Sequence, residues 1–509
     1  MQTNKDGGLR LYKQFGLFSL ICLLLTSPLF AESFEDFKKS QNSSFSKYRD
    51  ERDAAFNSYL KAQWEEYTAK ESKPLYEKQK PKSISPSVEK KIKGVGPRIN
   101  IKIAKAKPVV KPKAKELVTT IPQIIKTTQK PKVIPVVTKL VEPTRDVNFV
   151  FFGQKVGFDI DDKLKTAKFY PQNQSGISNF FDVAASSDYG ETVRQIKTSA
   201  KALELNDWGV YLLVNQLSSN VFSNKDDTKL YSWFLFNKLG YEVKVGLGGK
   251  HVVLMHYSKK IIYSTPNYSF KKKKFYVISN YAKGSAGKVY TYKQSYPGAS
   301  KALDLELQTL PNFEKDLQKK TVSFKQLGKE YKASYHYDKN LIDFMATYPQ
   351  ADYDTYFNAP MSEETYRDIA QDLKKYVDAK QASVAINFVL NFVQKAFKYE
   401  RDQQQFGREK VMFANETLYY DKSDCEDRSI LFSYLVKELF GVGVIGVKYK
   451  DHMATALYIP IKGDSVIAGK REFVIADPTY INANIGQSMP QYKSKIPQSF
   501  IVVRKDNER

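Results

Sequence analysis

One cysteine, one histidine and one aspartate near the carboxyl end stand in an order that suits thiol chemistry. Cys425 lies in SDCEDRSILFSYLVKEL (423–439), His452 in YKDHMATALYI (449–459) and Asp477 in REFVIADPTY (471–480). A nucleophilic thiol needs a base to take its proton and a carboxylate to orient that base. The first segment reads as a helix with a capping box from Ser423 to Glu426 and an apolar stripe through Ile430, Leu431, Tyr434, Leu435 and Leu439. Cys425 then falls in the first turn, where unpaired amides and the helix dipole favour a thiolate. The other two segments read as strands, the first of them following VGVIGVKY. Singly, each residue has a structural explanation: acidic residues cap helices, a lone His is often structural, and Asp before Pro is a common turn. In order behind helix, strand and strand, they form a candidate catalytic set. Against it, Asp424, Glu426 and Asp427 crowd the thiol and raise its pKa unless a cation offsets them.

DCED at 424–427, the HM pair at 452–453 and DPTY at 477–480 resemble the motifs of transglutaminase-like cysteine enzymes, above all the bacterial periplasmic transglutaminase-like proteinases. The resemblance covers roughly residues 360–509. It implies a papain-like α+β domain with Cys425 as nucleophile, His452 as general base and acid, and Asp477 orienting the imidazole. It also implies calcium beside the cysteine, with Asp424 and Glu426 at the matching positions, and such a cation would answer the charge objection. Tyr399 and Gln403 to Gln405 are candidate oxyanion donors by their position upstream of the helix.

Residues 223–268 look like a second copy without the chemistry. SNKDDTKLYSWFLFNKLGYEVKVGLG parallels SDCEDRSILFSYLVKELFGVGVIGVK, KHVVLMHY parallels DHMATALY, and STPNY parallels ADPTY. Here His251 matches His452, Lys225 stands at the cysteine position and Thr265 at the aspartate position. Such a copy cannot run a thiol mechanism. It is expected either to hold substrate for the active copy or simply to pack against it.

The elements ahead of these copies are of other kinds. Phe34, Phe45, Phe56 and Tyr67 recur every eleven residues, with Phe37, Tyr48 and Tyr59 offset by three. Such spacing predicts a nearly straight helix with an aromatic face, whose expected partner is a second copy of itself, since the polar face mixes both signs. Residues 73–145 hold ten Pro and nineteen Lys plus Arg against four Glu, and so carry +15 of the chain's +25. They read as an extended, self-repelling spacer. Its single aromatic, Tyr76, leaves no stacking platform for nucleic acid, so the basic tract is expected to touch cell-wall polymer or an anionic membrane surface instead.

The 509 residues, 42% hydrophobic and 14% aromatic, are enough for two or three cores, which excludes a wholly disordered chain. Two cysteines exclude a disulfide scaffold. Lys5, Arg10 and Lys13 precede the apolar run Phe15 to Leu25, with Pro28 and a small-residue stop at Ala31, the layout of a secretory signal peptide. Cleavage there would remove Cys22, leave Cys425 as the only thiol and place the protein in the periplasm or otherwise outside the cytoplasm. An uncleaved inner-membrane anchor is the less favoured alternative, because Pro28 shortens the apolar span.

These readings divide the chain into a signal peptide (1–31), an aromatic-striped helix (32–72), a disordered basic linker (73–145), a degenerate transglutaminase-like domain (146–300), a connecting β-rich segment (301–358) and a catalytic domain (359–509). The expected fold class is α+β, with the cysteine helix packed on an antiparallel sheet. The expected activity is attack on a peptide or isopeptide amide of a protein or peptide substrate, resolved by water or by an amine. The alternative is an envelope assembly module that uses these domains as inert scaffold.

Overall fold

The structure is a computed structural model that describes residues 34–62, 64–70, 72–103, 145–278 and 287–504, with side chains from residue 47 onward. The signal-peptide layout, Cys22 and the linker residues 104–144 lie outside the described residues. No helix among the described residues is long and apolar enough to cross a membrane. The chain divides into two compact units, Met1–Glu51 and Arg52–Arg509. Of the first, the structure describes the start of the helix Phe34–Leu60, on which Tyr48 is exposed.

The second unit is α+β, with all strand pairs of its two larger sheets antiparallel. A six-stranded sheet runs Glu65–Thr68, Lys288–Thr291, Val243–Gly248, His251–Tyr257, Lys273–Tyr276 and Asn267–Phe270 in spatial order. A five-stranded sheet runs Ser465–Ala468, Arg471–Ala476, Met453–Leu457, Val444–Lys448 and Ser499–Val502. Each is backed by a helix that precedes its central hairpin in sequence: Lys225–Lys238 for the first and Cys425–Phe440 for the second. Beyond their first turns both helices are buried almost all round, through Leu230, Tyr231, Trp233, Phe234 and Leu235 in one and Ile430, Leu431, Phe432, Leu435 and Val436 in the other. A helix of that pattern sits inside a core. The two halves therefore repeat one arrangement, a buried helix followed by an antiparallel hairpin laid against it.

Between them, residues 301–358 hold the long hairpin Leu317–Gln326 and Lys329–Asp338 together with the helices Lys339–Ala346 and Tyr353–Phe357. That segment is half helical toward its end rather than β-rich throughout.

Two sequence expectations change here. The aromatic helix stops at Leu60, so Tyr67 does not continue its stripe but lies on the strand Glu65–Thr68, opposite Val289. The last turns of the helix are also already partnered. Phe56 is buried against the rings of Phe181, Trp233, Tyr292 and Tyr296, and Asp53 is bound by Lys238 and by the hydroxyls of Tyr189 and Tyr296. Burying such rings stabilises by roughly 2 kcal/mol each, so this end of the stripe belongs to the first half's core rather than to a second copy.

The second change concerns the linker. Residues 72–103 are not a free spacer but a strap bound across the domain that carries Cys425. Leu75, Tyr76, Lys80 and Ile101 are buried, whereas Lys78, Lys82, Lys90 and Lys93 point to solvent. The backbone is satisfied by the domain: Lys78 N donates to Lys450 O, Ser87 N to Ile481 O, Ile99 N to Lys380 O and Ala382 N to Pro97 O. Ser383 bonds the strap from both sides, its Oγ to Lys93 O and its backbone N to Val95 O. Prolines hold the chain extended without internal hydrogen bonds, and that leaves its carbonyls and amides open to another surface.

Candidate active site

The cysteine helix begins one residue later than the capping box Ser423 to Glu426 requires. Asp424 is the N-cap, its backbone N donating to Asp427 Oδ2 at 3.1 Å, and Cys425 is the first helical residue. Ser423 lies on the short strand Lys422–Ser423, and its hydroxyl accepts from Arg428 Nε. Arg428 is fully buried and also donates to the carbonyls of Gln394 and Phe397, which fixes the helix start against the preceding chain.

His452 immediately precedes the strand Met453–Leu457, and Asp477 immediately follows the strand Arg471–Ala476. These strands pair antiparallel, Thr455 opposite Ala476, which brings the two residues to one end of the sheet. His452 Nε2 lies 2.8 Å from Asp477 Oδ2, and both side chains are buried. The other carboxylate oxygen accepts from the backbone N of Thr479 and of Tyr480, so Asp477 is held in place. The imidazole stacks on Tyr492 at 4.7 Å between ring centres. With Nε2 engaged, Nδ1 is buried and has no hydrogen-bond partner among the described residues. Ser429 ties the cysteine turn to this strand, donating to Cys425 O and also lying 3.2 Å from Met453 O.

The thiol itself faces two other groups. Sγ lies 3.1 Å from Glu426 Oε2 and 3.7 Å from the Tyr76 hydroxyl, which in turn donates to Glu426 Oε2 at 3.0 Å. Cys425 is fully buried. Burial, then Glu426, then Asp424 push its thiol well above the ordinary range. In this arrangement the helix start does not prevail over the carboxylates beside it.

Four carboxylates gather there, from Asp402, Glu409, Asp424 and Glu426, and Lys80 from the strap is set among them. Its Nζ lies 3.0 Å from Asp402, 2.8 Å from Glu409 and 2.8 Å from Glu426, and also pairs with Asp424. Burial opposes the charge on Lys80, but Asp424, Glu426 and Asp402 raise its pKa well above the ordinary lysine value. Burial likewise opposes ionisation of Glu426, and the Lys80 ammonium overrides it, holding that carboxyl low. Asp402 and Asp424 are driven upward by burial and by their acidic neighbours, and Asp427 is pushed up to about 7 by burial and by Glu426. Lys80 thus holds the Glu426 carboxyl low directly in front of the thiol.

Of the oxygens that the calcium implied by the resemblance would take, one each from Asp424 and Glu426 is paired with Lys80, while Asp424, Cys425 and Glu426, and likewise Asp402, Glu409 and Glu426, stand close enough together to hold a metal ion. Lys80 supplies the positive charge that the acidic crowd requires.

Of the oxyanion candidates, Tyr399 is at the site. Its hydroxyl donates to Pro81 O of the strap at 2.8 Å. Gln403 is not: its amide bonds Gly407 O at the surface. A cavity of about 710 Å³, with Trp208, Tyr263, Phe406 and Glu409 in its wall, is lined by neither Cys425 nor His452.

In the first half, Lys225 opens its helix as Cys425 does, and His251 opens its strand. His251 Nδ1 pairs with Asp226 Oδ2 at 3.1 Å with the ring mostly in solvent, while Thr265 bonds the carbonyl of Tyr263. Among the described residues, Lys225, His251 and Thr265 are not bonded to one another.

Sequence reasoning missed Tyr76, Lys80, Asp402 and Glu409. Tyr76 had one signal, being the only aromatic in residues 73–145; the other three had none. No protein-family model, no curated protein and no solved structure matches the chain.

Proposed function

We propose that the chain is an exported thiol enzyme that hydrolyses a peptide or isopeptide amide through Cys425, His452 and Asp477. The observation that carries this reading is the buried His452–Asp477 pair, which leaves Nδ1 of the imidazole as its one open nitrogen, at the start of the strand that Ser429 ties to the cysteine turn. With the Nε2 proton held by Asp477, Nδ1 is the lone-pair nitrogen that takes the thiol proton. Sγ then attacks the carbonyl carbon, and the imidazolium returns the proton to the departing amine. Water, deprotonated by the same nitrogen, releases the acid from the thioester. The Tyr399 hydroxyl, which donates to a main-chain carbonyl of the strap, is the candidate oxyanion donor. Export rests on the layout of residues 1–31.

The fully buried thiol favours a second reading, an envelope assembly module without catalysis. The two separate on amide turnover. Protein carrying Cys425→Ser is expected to lose release of free amine from a peptide or isopeptide substrate while keeping its fold by circular dichroism. Turnover that persists in that variant would rule out Cys425 as the nucleophile, and a parent protein that turns over no amide would favour the assembly module.

A further inference from the structure

The strap covers the thiol with a peptide in extended form, and its contacts describe what the groove reads. The groove touches main chain at four places along residues 75–81. Lys448 Nζ donates to Leu75 O at 3.0 Å, Lys78 N donates to Lys450 O at 3.1 Å, Arg401 reaches Lys80 O at 3.4 Å, and Tyr399 donates to Pro81 O. These donors and acceptors would serve any extended chain, since they bind no side chain. Within residues 75–80 only three side chains are buried: Leu75, Tyr76 beside the thiol, and Lys80 among the carboxylates. Tyr353 and Lys448 flank the Tyr76 ring. Glu426 joins Tyr76 and Lys80, one oxygen on Lys80 Nζ and the other on Sγ and the Tyr76 hydroxyl.

Resting on the amide-hydrolase reading, we propose that residues 75–81 are a resident pseudo-substrate, and that the groove takes in trans an extended basic peptide with an aromatic residue over Cys425 and a lysine four positions later in the Asp402–Glu409–Asp424–Glu426 pocket. The seated ammonium distinguishes this pocket from a mere acidic cluster. It also places a positive charge one carboxylate away from the thiol, so that an occupant without it leaves Glu426 and Asp424 uncompensated beside Sγ.

The test uses the full chain carrying Leu75→Gly and Tyr76→Gly, which loosens the strap over the thiol and leaves the Lys80 charge present; where that variant does not fold, Tyr76→Ala alone replaces it. The readout is alkylation of Cys425 by iodoacetamide. The loosened protein is expected to react roughly tenfold faster or more than the parent, because exposure no longer waits on opening of the strap. A synthetic peptide with the sequence of residues 72–90 is expected to restore protection saturably. The same peptide with alanine in place of its Lys80 is expected to bind roughly tenfold or more weakly. Unchanged alkylation in the loosened protein, equal protection by both peptides, protection by neither, or protection by calcium alone would each overturn the proposal. A thiol whose reactivity ignores His452→Ala in the loosened protein would sink the catalytic reading instead, and would leave the peptide selectivity of the groove standing.

Discussion

Lys80→Ala is expected to destabilise the folded chain by about 3–5 kcal/mol at neutral pH, the usual cost of removing one partner from a buried ion cluster. Lys80 is almost fully buried and is paired with the carboxylates of Asp402, Glu409, Asp424 and Glu426. Without it, Glu426 stays buried with no ammonium to hold it ionised. The effect has a pH signature. In the parent, Glu426 is held below its ordinary value of 4.5, so it contributes stability above that pH and loses it as pH falls through the depressed value. In the variant, burial acts unopposed by Lys80 and the carboxyl takes up a proton more readily than in the unfolded chain. The penalty of the substitution should therefore begin to shrink above pH 4.5, as the variant's raised carboxyl takes up its proton, and go on shrinking as pH falls through the parent's depressed value. Lys80, raised above 10.5, keeps its contribution below that value and loses it as pH rises through the raised one. Urea unfolding of both proteins between acid and neutral pH checks this, and a penalty that is constant across that range would contradict it.

Asp477→Ala is expected to lower amide turnover by roughly a thousand- to ten-thousand-fold, comparable to the loss when the orienting carboxylate of a hydrolytic triad is disabled. Asp477 fixes the imidazole through Nε2 and is itself fixed by the amides of Thr479 and Tyr480. Removing it frees the ring to take the other tautomer and leaves Nδ1 protonated, unable to accept the thiol proton. Stacking on Tyr492 would keep the ring in its plane, so the loss should fall on kcat rather than on KM. A loss below tenfold would mean that Asp477 is structural.

The positions of Cys425, His452 and Asp477 were legible because each stands at the end of a regular element. Cys425 opens a helix, His452 precedes one strand and Asp477 follows its neighbour, and in an antiparallel pair those two positions meet. Apolar patterning finds the strands and helix, and the order of the chain then supplies the set. The strap was illegible for the opposite reason. Leu75, Tyr76, Lys80 and Ile101 are buried at intervals that follow neither the period of a strand nor that of a helix, and the residues that hold them are some three hundred positions away. Proline and lysine content alone describes a free spacer, because composition does not see a partner surface. Tyr67 misled in a simpler way: an eleven-residue interval carried past Leu60 by coincidence, while strand pairing with Lys288–Thr291 decided its structure. The cap moved by one residue because Asp427, not Glu426, reaches back to the N-cap amide.

The pH dependence of Cys425 alkylation, in protein with the loosened strap and in the same protein carrying His452→Ala, tests the triad most directly. The account expects the loosened protein to show an apparent thiol pKa below the ordinary value of about 8.5, and expects that depression to vanish with His452. A thiol that titrates at or above the ordinary value, identically with and without the histidine, would contradict a catalytic Cys425–His452–Asp477 set.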